Sequence, residues 1–262
     1  MTGARFAFLG TSGAAASAAR DNTALVFEAG GAAMLADCGG GTVQRLRRLG
    51  VDPLLLTHVV ITHVHVDHAY GLPSLVRQLA ILGRRAPLAV VCRPEHVEPL
   101  RALLALFNLW DRPDFFPLAL VPIDLAVGAR AFVTGGLAVR TAPNAHGAMP
   151  NFAVRVDVEG ASAVVYSSDT RPSDAVVSLA RGADTLIHEA TFAERDRGPA
   201  RFLAHSSAAD AGQVAARAGV RRLLLTHIGV EYHGDTGALA AEARRHFDGV
   251  VEVAEDLRAY FL

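Results

Sequence analysis

Short apolar runs of strand length recur along the chain, near residues 5–9, 24–28, 57–62, 87–92, 131–133 and 137–141, then near 152–157, 162–166, 184–188, 221–226 and 250–253. Polar or Gly-containing segments bound most of them, which is the pattern of β-strands. Met1 to Gly13 reads as the first strand with its Gly-containing turn, and Gly30-Gly31 and Gly160 read as hairpin turns. Helical periodicity appears near 42–49, 72–83, 94–107, 173–181, 207–218 and 236–247. Punctuation supports several of these: Pro94 at a start, Ser173 before one, and Gly219 after Ala208–Ala218. Meander-like strands open the chain, and strands alternate with helices in its second half. That order predicts an α/β fold in which two mixed β-sheets pack face to face with helices outside, a four-layer αββα sandwich.

One run breaks the apolar rhythm. Ile61-Thr62-His63-Val64-His65-Val66-Asp67-His68 puts three imidazoles and a carboxylate into six residues, and a helix start follows at Gly71. A buried cluster of this kind is costly unless something cationic pairs with it. Helical metal motifs such as HExxH space two His at i and i+4. Here His63 and His65 stand at i and i+2, which suits a strand end running into a loop. The two can grip one metal while Asp67 and His68 turn toward a second. A chance surface cluster is the alternative, and the apolar stretch Val59-Val60-Ile61 leading into the run argues against it.

The run matches the HxHxDH signature of the metallo-β-lactamase superfamily, and the chain resembles that superfamily motif after motif. Leu35-Ala36-Asp37-Cys38-Gly39 resembles its early Asp motif, and His146 its isolated third His. Ser167-Ser168-Asp169-Thr170 resembles the bridging-Asp motif and Leu225-Thr226-His227 the last His. Within the superfamily, His188-Glu189-Ala190-Thr191 and His205-Ser206-Ser207 resemble the HEAT and HST motifs of the ribonuclease Z branch, and Tyr232 falls where that branch carries a Tyr. The resemblance implies the same αββα fold, with a metal site at the edge where strand ends converge. It implies one metal on His63, His65 and His146, a second on Asp67, His68 and His227, and Asp169 bridging the two. For Asp37 it implies hydrogen bonds that hold a ligand loop, the alternative being an ordinary turn Asp before Gly39-Gly40-Gly41.

Paired metal ions polarise a substrate oxygen and generate a hydroxide near neutral pH. The expected nucleophile is therefore a metal-bridging hydroxide, with Asp67 at the reacting centre. His and Asp donors suit two Zn2+, and manganese or iron would also bind. No Cys follows residue 92, which argues against the β-lactamases that place a Cys on one metal. In the ribonuclease Z branch, the His that matches His205 donates a proton to the leaving oxygen or stabilises charge there, and the Glu of the HEAT motif, here Glu189, orients it. Such a general acid is worth about 10²–10⁴-fold. His205 beside Ser206-Ser207 could instead neighbour a helix cap. His188 reads as a support for the ligands. His58, His96, His233 and His246 match no motif; His96 and His246 lie on predicted helices and read as exposed, and His233 lies in a loop near His227, where contact with substrate is one reading.

Composition narrows the rest. The 262 residues carry no Pro/Ser/Gly-rich divider, and the candidate ligands spread from 63 to 227, so one domain over 1–262 is expected. The chain is 51% hydrophobic with a mean hydropathy of +0.28, much of it from Ala. A net charge of −1 excludes a globally basic protein. The chain has no Lys, and Arg45, Arg47 and Arg48, Arg84-Arg85, Arg221-Arg222 and Arg244-Arg245 read as solvated helix ends or faces. Two Cys make no disulfide framework. Cys38 reads as no ligand and Cys92 as core. Neither a secretory leader nor a membrane-length apolar run is evident, which gives an expectation of a cytoplasmic protein. The segment 108–120, rich in Pro and aromatics, reads either as a loop over the site or as a surface loop anchored by aromatic packing.

Ribonuclease Z binds tRNA through a protruding arm, inserted in many members between the third His and the bridging Asp. Here that interval is 147–168, and Phe152–Val158, Gly160 and Ala163–Ser167 fill it as one hairpin. The PxKxxxG-type loop is missing, Glu231 stands where a basic residue commonly precedes the Tyr, and Val66 replaces a frequent Gly. A tRNA-sized polyanion normally needs several phosphate contacts from Lys or Arg. The expected function is thus a phosphodiesterase of ribonuclease Z-like type acting on a small or short phosphodiester, a homodimer if it follows its family. The alternatives are tRNA 3′ processing, or hydrolysis of another ester class by an aryl sulfatase, lactonase or β-lactam hydrolase.

Overall fold

The computed structural model describes residues 3–124 and 126–262. Met1 and Thr2, which the sequence attaches to the first strand, lie outside the described residues. The first half supplies β1 (Arg5–Gly10), β2 (Ala24–Ala29), β3 (Ala32–Ala36), β4 (Leu56–Val60), β5 (Leu88–Cys92) and β6 (Leu118–Pro122). The second supplies β7 (Ala129–Thr134), β8 (Leu137–Pro143), β9 (Phe152–Val158), β10 (Val164–Tyr166), β11 (Thr185–Glu189), β12 (Arg222–Thr226) and β13 (Val250–Val253). The last strand, β14 (Ala259–Phe261), returns to pair with β1, so one sheet runs β14-β1-β2-β3-β4-β5-β6 and the other β13-β12-β11-β10-β9-β8-β7. Both are mixed: β3 to β6 pair in parallel, as do β10 to β13, while β7, β8 and β9 form an antiparallel meander.

Period-two alternation decides what each face buries. In β1, Phe6 and Phe8 enter the layer between the sheets, while Ala7 and Leu9 face the outer helices. In β12, Leu224 enters the same central layer while Leu223 and Leu225 face outward. Each fully buried Phe or Leu of this kind contributes ~1.5–3 kcal/mol relative to exposure. Helices α1 (Thr42–Arg48), α2 (Val66–Ala69), α3 (Leu72–Ile81) and α4 (Val97–Leu106) belong to the first half; α5 (Asp174–Ala180), α6 (Arg197–Phe202), α7 (Ala208–Ala218) and α8 (Thr236–Arg244) follow in the second. The four layers are those the sequence predicts. α7 has the clearest local reason to exist. Ser207 and Asp210 form a reciprocal capping box at its start, and Gly219 ends it with a left-handed φ of 71°.

Five elements escape the apolar pattern, the first being the single-turn helix α2, which carries Asp67 and His68 where the sequence reads a loop. β3 is Ala-rich, β14 has three residues, and α6 contains Gly198-Pro199. β6 lies at the sheet edge and ends in Pro122, which an edge strand tolerates. The segment before it is anchored by aromatics: Phe116 and Leu109 are buried in the first helical layer, and the Arg77 and Arg112 guanidiniums sit over the Phe115 ring. Two solvent readings are corrected. Arg84 is buried, bonded to the Leu54 and Pro87 carbonyls and set over Phe116. His96 is buried too, its Nε2 2.7 Å from the Pro150 carbonyl. Arg45 pairs with Asp21 and Asp256 rather than with water alone.

The parallel strands place the site. Asp37 follows β3, the His63–His68 run follows β4, Ser168 and Asp169 follow β10, Glu189 ends β11, and His227 follows β12. All lie beyond carboxyl ends of strands, where α/β sheets hold their ligands. Most of 147–168 is the β9–β10 hairpin, paired Val164 to Val156, preceded by a short turn at 147–149, and the interval projects no arm.

Candidate metal centre

Gly71 lets the ligand loop close. Its N–H donates to the Cys38 carbonyl at 2.9 Å, and a Cβ there would run into the Gly39 carbonyl. This draws α2 against the end of β3. His63, His65, His146 and Asp169 then form one group of converging donor atoms, and Asp67, His68 and His227 a second. In the first, His65 Nδ1 lies 3.0 Å from His63 Nε2 and 3.1 Å from His146 Nε2. In the second, Asp67 Oδ2, His68 Nε2 and His227 Nε2 lie 3.3–3.5 Å apart. One oxygen, Asp169 Oδ2, faces both: it is 3.7 Å from His63 Nε2, 3.3 Å from His68 Nε2 and 3.2 Å from His227 Nε2. All seven residues expected as ligands meet here.

The other ring nitrogen of four imidazoles is held from behind. His68 Nδ1 is 2.8 Å from Asp37 Oδ2, and His227 Nδ1 is 2.8 Å from Thr191 Oγ1. His146 Nδ1 is 3.0 Å from the Ala204 carbonyl, and His63 Nδ1 is 3.2 Å from Thr62 Oγ1. Each Nδ1–H donates outward and leaves the Nε2 lone pair facing the centre, the arrangement that orients metal-ligating histidines. Thr62 and Thr191 stand inside the motifs, yet nothing in the sequence marks their hydroxyls or the Ala204 carbonyl for holding an imidazole.

Burial favours the neutral, metal-binding form of three of the imidazoles. Burial and neighbouring imidazoles hold His63 well below its ordinary pKa, and burial lowers His65 and His146. Burial opposes charge on His68, but the Asp169 and Asp37 carboxylates outweigh it and raise its pKa. Burial also opposes charge on Asp67, yet the His227 and His68 contacts hold it at about 2. Asp169 Oδ1 is buried with no hydrogen-bond partner. A buried carboxylate with one orphaned oxygen and the other among converging imidazole nitrogens is what a divalent cation satisfies, so the residues present fit the metal that the motifs imply. The strained backbone clusters here as well: Asp37, Ser168, Ala204 and His227 are non-glycine residues at φ of 52–62°.

His205 joins Asp169 and His227 in a third convergent group. Its Nδ1 lies 2.8 Å from Glu189 Oε1. Glu189 is fully buried and also accepts from the Thr170 and Ser206 amides and the Thr191 hydroxyl. Burial disfavours the His205 imidazolium, but Glu189 prevails and holds the pKa at about 9. The helix cap beside it is Ser207, so His205 is free of a capping duty. His188, by contrast, turns its Nδ1 to the Glu189 carbonyl and takes no place in these groups. His233 is bound to Ser12, Ser17 and the Ile228 carbonyl. Tyr232 donates to Asp196 at 2.5 Å. Cys38 and Cys92 are buried and outside the donor groups.

Comparison with known proteins bears on the same residues. The family model of the β-lactamase superfamily domain matches residues 33–228. A ribonuclease Z of Methanosarcina mazei is 30% identical, over 97% of this chain and 96% of that protein. The metallo-β-lactamase fold protein YhfI of Bacillus subtilis superposes with a TM-score of 0.82 at 22% identity, covering 98% of this chain and 99% of that one. The short form of human tRNase Z gives 0.80 at 24%, covering 98% of each. At these identities the two structures show a shared fold. With the motif order, the convergent His/Asp groups and the full-length match, the chain belongs to the metallo-β-lactamase superfamily and, within it, to the ribonuclease Z family.

Proposed function

We propose that this metal-dependent hydrolase cleaves small or short phosphodiesters, with His63, His65 and His146 on one metal, Asp67, His68 and His227 on a second, and Asp169 facing both. The observation that carries the reading is the Glu189–His205 pair beside the two donor groups. Bound divalent ions, here zinc by donor chemistry, would supply Lewis acidity and ionise water near neutral pH. The chain's own residues do the rest. Asp67 and the imidazoles fix the donor geometry and orient the attacking water. Glu189 holds the His205 ring through Nδ1, which leaves Nε2 to deliver a proton to the departing oxygen. Water stays out of the deeper site because His63, His68, Asp169 and Glu189 are buried.

The short-substrate part rests on the β9–β10 hairpin taking up most of 147–168 and on a chain without Lys. The alignment with the Methanosarcina relative runs to 295 positions against 262 residues here, so that ribonuclease Z holds segments with no counterpart in this chain. A second reading, tRNA 3′ processing, is favoured by relatives named ribonuclease Z that match over nearly their whole length. A homodimer is proposed from family membership. Among the described residues, no helix is long and apolar enough to cross a membrane.

A panel of bis(p-nitrophenyl) phosphate, an aryl sulfate, a homoserine lactone, nitrocefin and a precursor tRNA tests the reading. Turnover of the phosphodiester with little or none of the tRNA supports it. Preference for the tRNA establishes the second reading, and preference for the sulfate, lactone or nitrocefin overturns both.

A further inference from the structure

The carboxylate of Asp37 is bonded through both oxygens behind the metal centre. Its Oδ1 accepts from the Thr62 amide and hydroxyl at 2.9 and 2.8 Å. Its Oδ2 accepts from His68 Nδ1 and from the Tyr166 hydroxyl, each at 2.8 Å. One oxygen is thus shared between a candidate ligand and a tyrosine 129 residues away in sequence. Tyr166 closes β10 of the second sheet, and Asp37 follows β3 of the first. The Tyr166 ring is buried in the layer between the sheets, so its hydroxyl has a fixed reach. A second strap runs the same way: Ser168 Oγ donates to Thr62 Oγ1 at 2.8 Å, and Thr62 bonds Asp37.

We propose that Tyr166 is a positioning residue for His68, acting through Asp37, and that it couples the second sheet to the metal group of Asp67, His68 and His227. The inference rests on the reading of His68 as a ligand. The physical argument is geometric. Asp37 sits in left-handed backbone at φ 62°, where an Asp is held by its surroundings. The Tyr166 hydroxyl restricts the carboxylate's rotation, and the carboxylate sets the ring plane of His68. Groups that orient a metal-ligating His in this way typically carry 10–100-fold in metal affinity. The first group feels this effect less: His65 and His146 make no bond to Asp37, and His63 reaches it only through the Thr62 hydroxyl, 3.2 Å from its Nδ1.

The test is titration of the metal-stripped full chain with Zn2+ against a chromophoric chelator, wild type beside Tyr166→Phe, with Co2+ absorption as a second readout. The expected result is two binding steps in the wild type, with one weakened 10–100-fold in Tyr166→Phe, the other within twofold, and an altered Co2+ spectrum for the weakened step. Ser168→Ala should weaken the same step by less, and it serves if Tyr166→Phe fails to fold. Equal weakening of both steps, or none, overturns the positioning role while leaving the ligand assignment standing. Two undiminished binding steps in His68→Ala would overturn the ligand assignment and this inference together.

Discussion

His205 Nδ1 donates to Glu189 Oε1 across 2.8 Å, and every other polar contact of that carboxylate is to a group that cannot move far: three backbone amides and a short hydroxyl. The ring is therefore aimed rather than merely near. If it protonates the leaving oxygen, its value depends on how much that oxygen needs a proton.

His205→Ala should slow diesters with an alkyl or ribose leaving group by ~10²–10⁴-fold and activated p-nitrophenyl diesters far less. Glu189→Gln should show the same pattern more weakly at unchanged metal content. Steady-state kinetics on a leaving-group series measures this; equal losses across the series would leave His205 as a structural or substrate-positioning residue.

Asp169 Oδ2 lies within 4.0 Å of imidazole nitrogens from both donor groups. Asp169→Ala should therefore loosen both metals and abolish hydrolysis. Metal analysis after gel filtration checks it. Retention of both ions, or loss of only one, would contradict a shared role.

Protein purified without chelator should carry about two metals per chain, as two complete donor groups imply. Removing them leaves Asp67, Asp169 and the surrounding carboxylates buried without their cations, so stability should fall. Occupancy at 100 times Kd is worth about 2.7 kcal/mol per site, which at this size corresponds to a fall in Tm of roughly 2–4 °C per kcal/mol. Calorimetry before and after dialysis against EDTA measures it; a stoichiometry well below one with activity intact would defeat the two-metal reading.

Burial pushes the Cys38 and Cys92 thiols up to about 12. Only the thiolate reacts readily, so folded protein at pH 8 should resist a disulfide reagent such as DTNB. Both thiols should titrate once guanidinium unfolds the chain. Fast labelling of the native protein would place one of them on an open surface.

The legible part of the site was the part written as local chemistry. His63, His65, Asp67 and His68 stand within six residues, and their i, i+2 spacing pointed to a strand end before any family was considered. His146, Asp169 and His227 needed the resemblance, since each is isolated in sequence; the fold brings them together because β8, β10 and β12 end on one edge. The αββα layers were legible for a similar reason, as short apolar runs such as Arg5–Gly10, buried along nearly their whole length, stand out between polar and Gly-containing segments. Elements without that signal were not: Ala-rich β3, edge strand β6 with Pro122, and three-residue β14, whose pairing with β1 spans almost the whole chain.

What only the tertiary structure decided is who stands behind the ligands. A Thr, a Tyr or a backbone carbonyl has no sequence signature for holding an imidazole, so Thr62, Thr191, Tyr166 and the Ala204 carbonyl could not be singled out. Exposure was equally undecidable for Arg84 and His96, because a polar residue is buried only where distant carbonyls such as Pro87 and Pro150 complete its hydrogen bonds. The sequence by itself determined the candidate donors of the His63–His68 run, the layered fold and, through the motif resemblance, the family. Nitrogen orientation, the single oxygen of Asp169 that faces both groups, and the bond from Tyr166 to Asp37 arise from contacts between residues far apart in the chain, which only the packed sheets create.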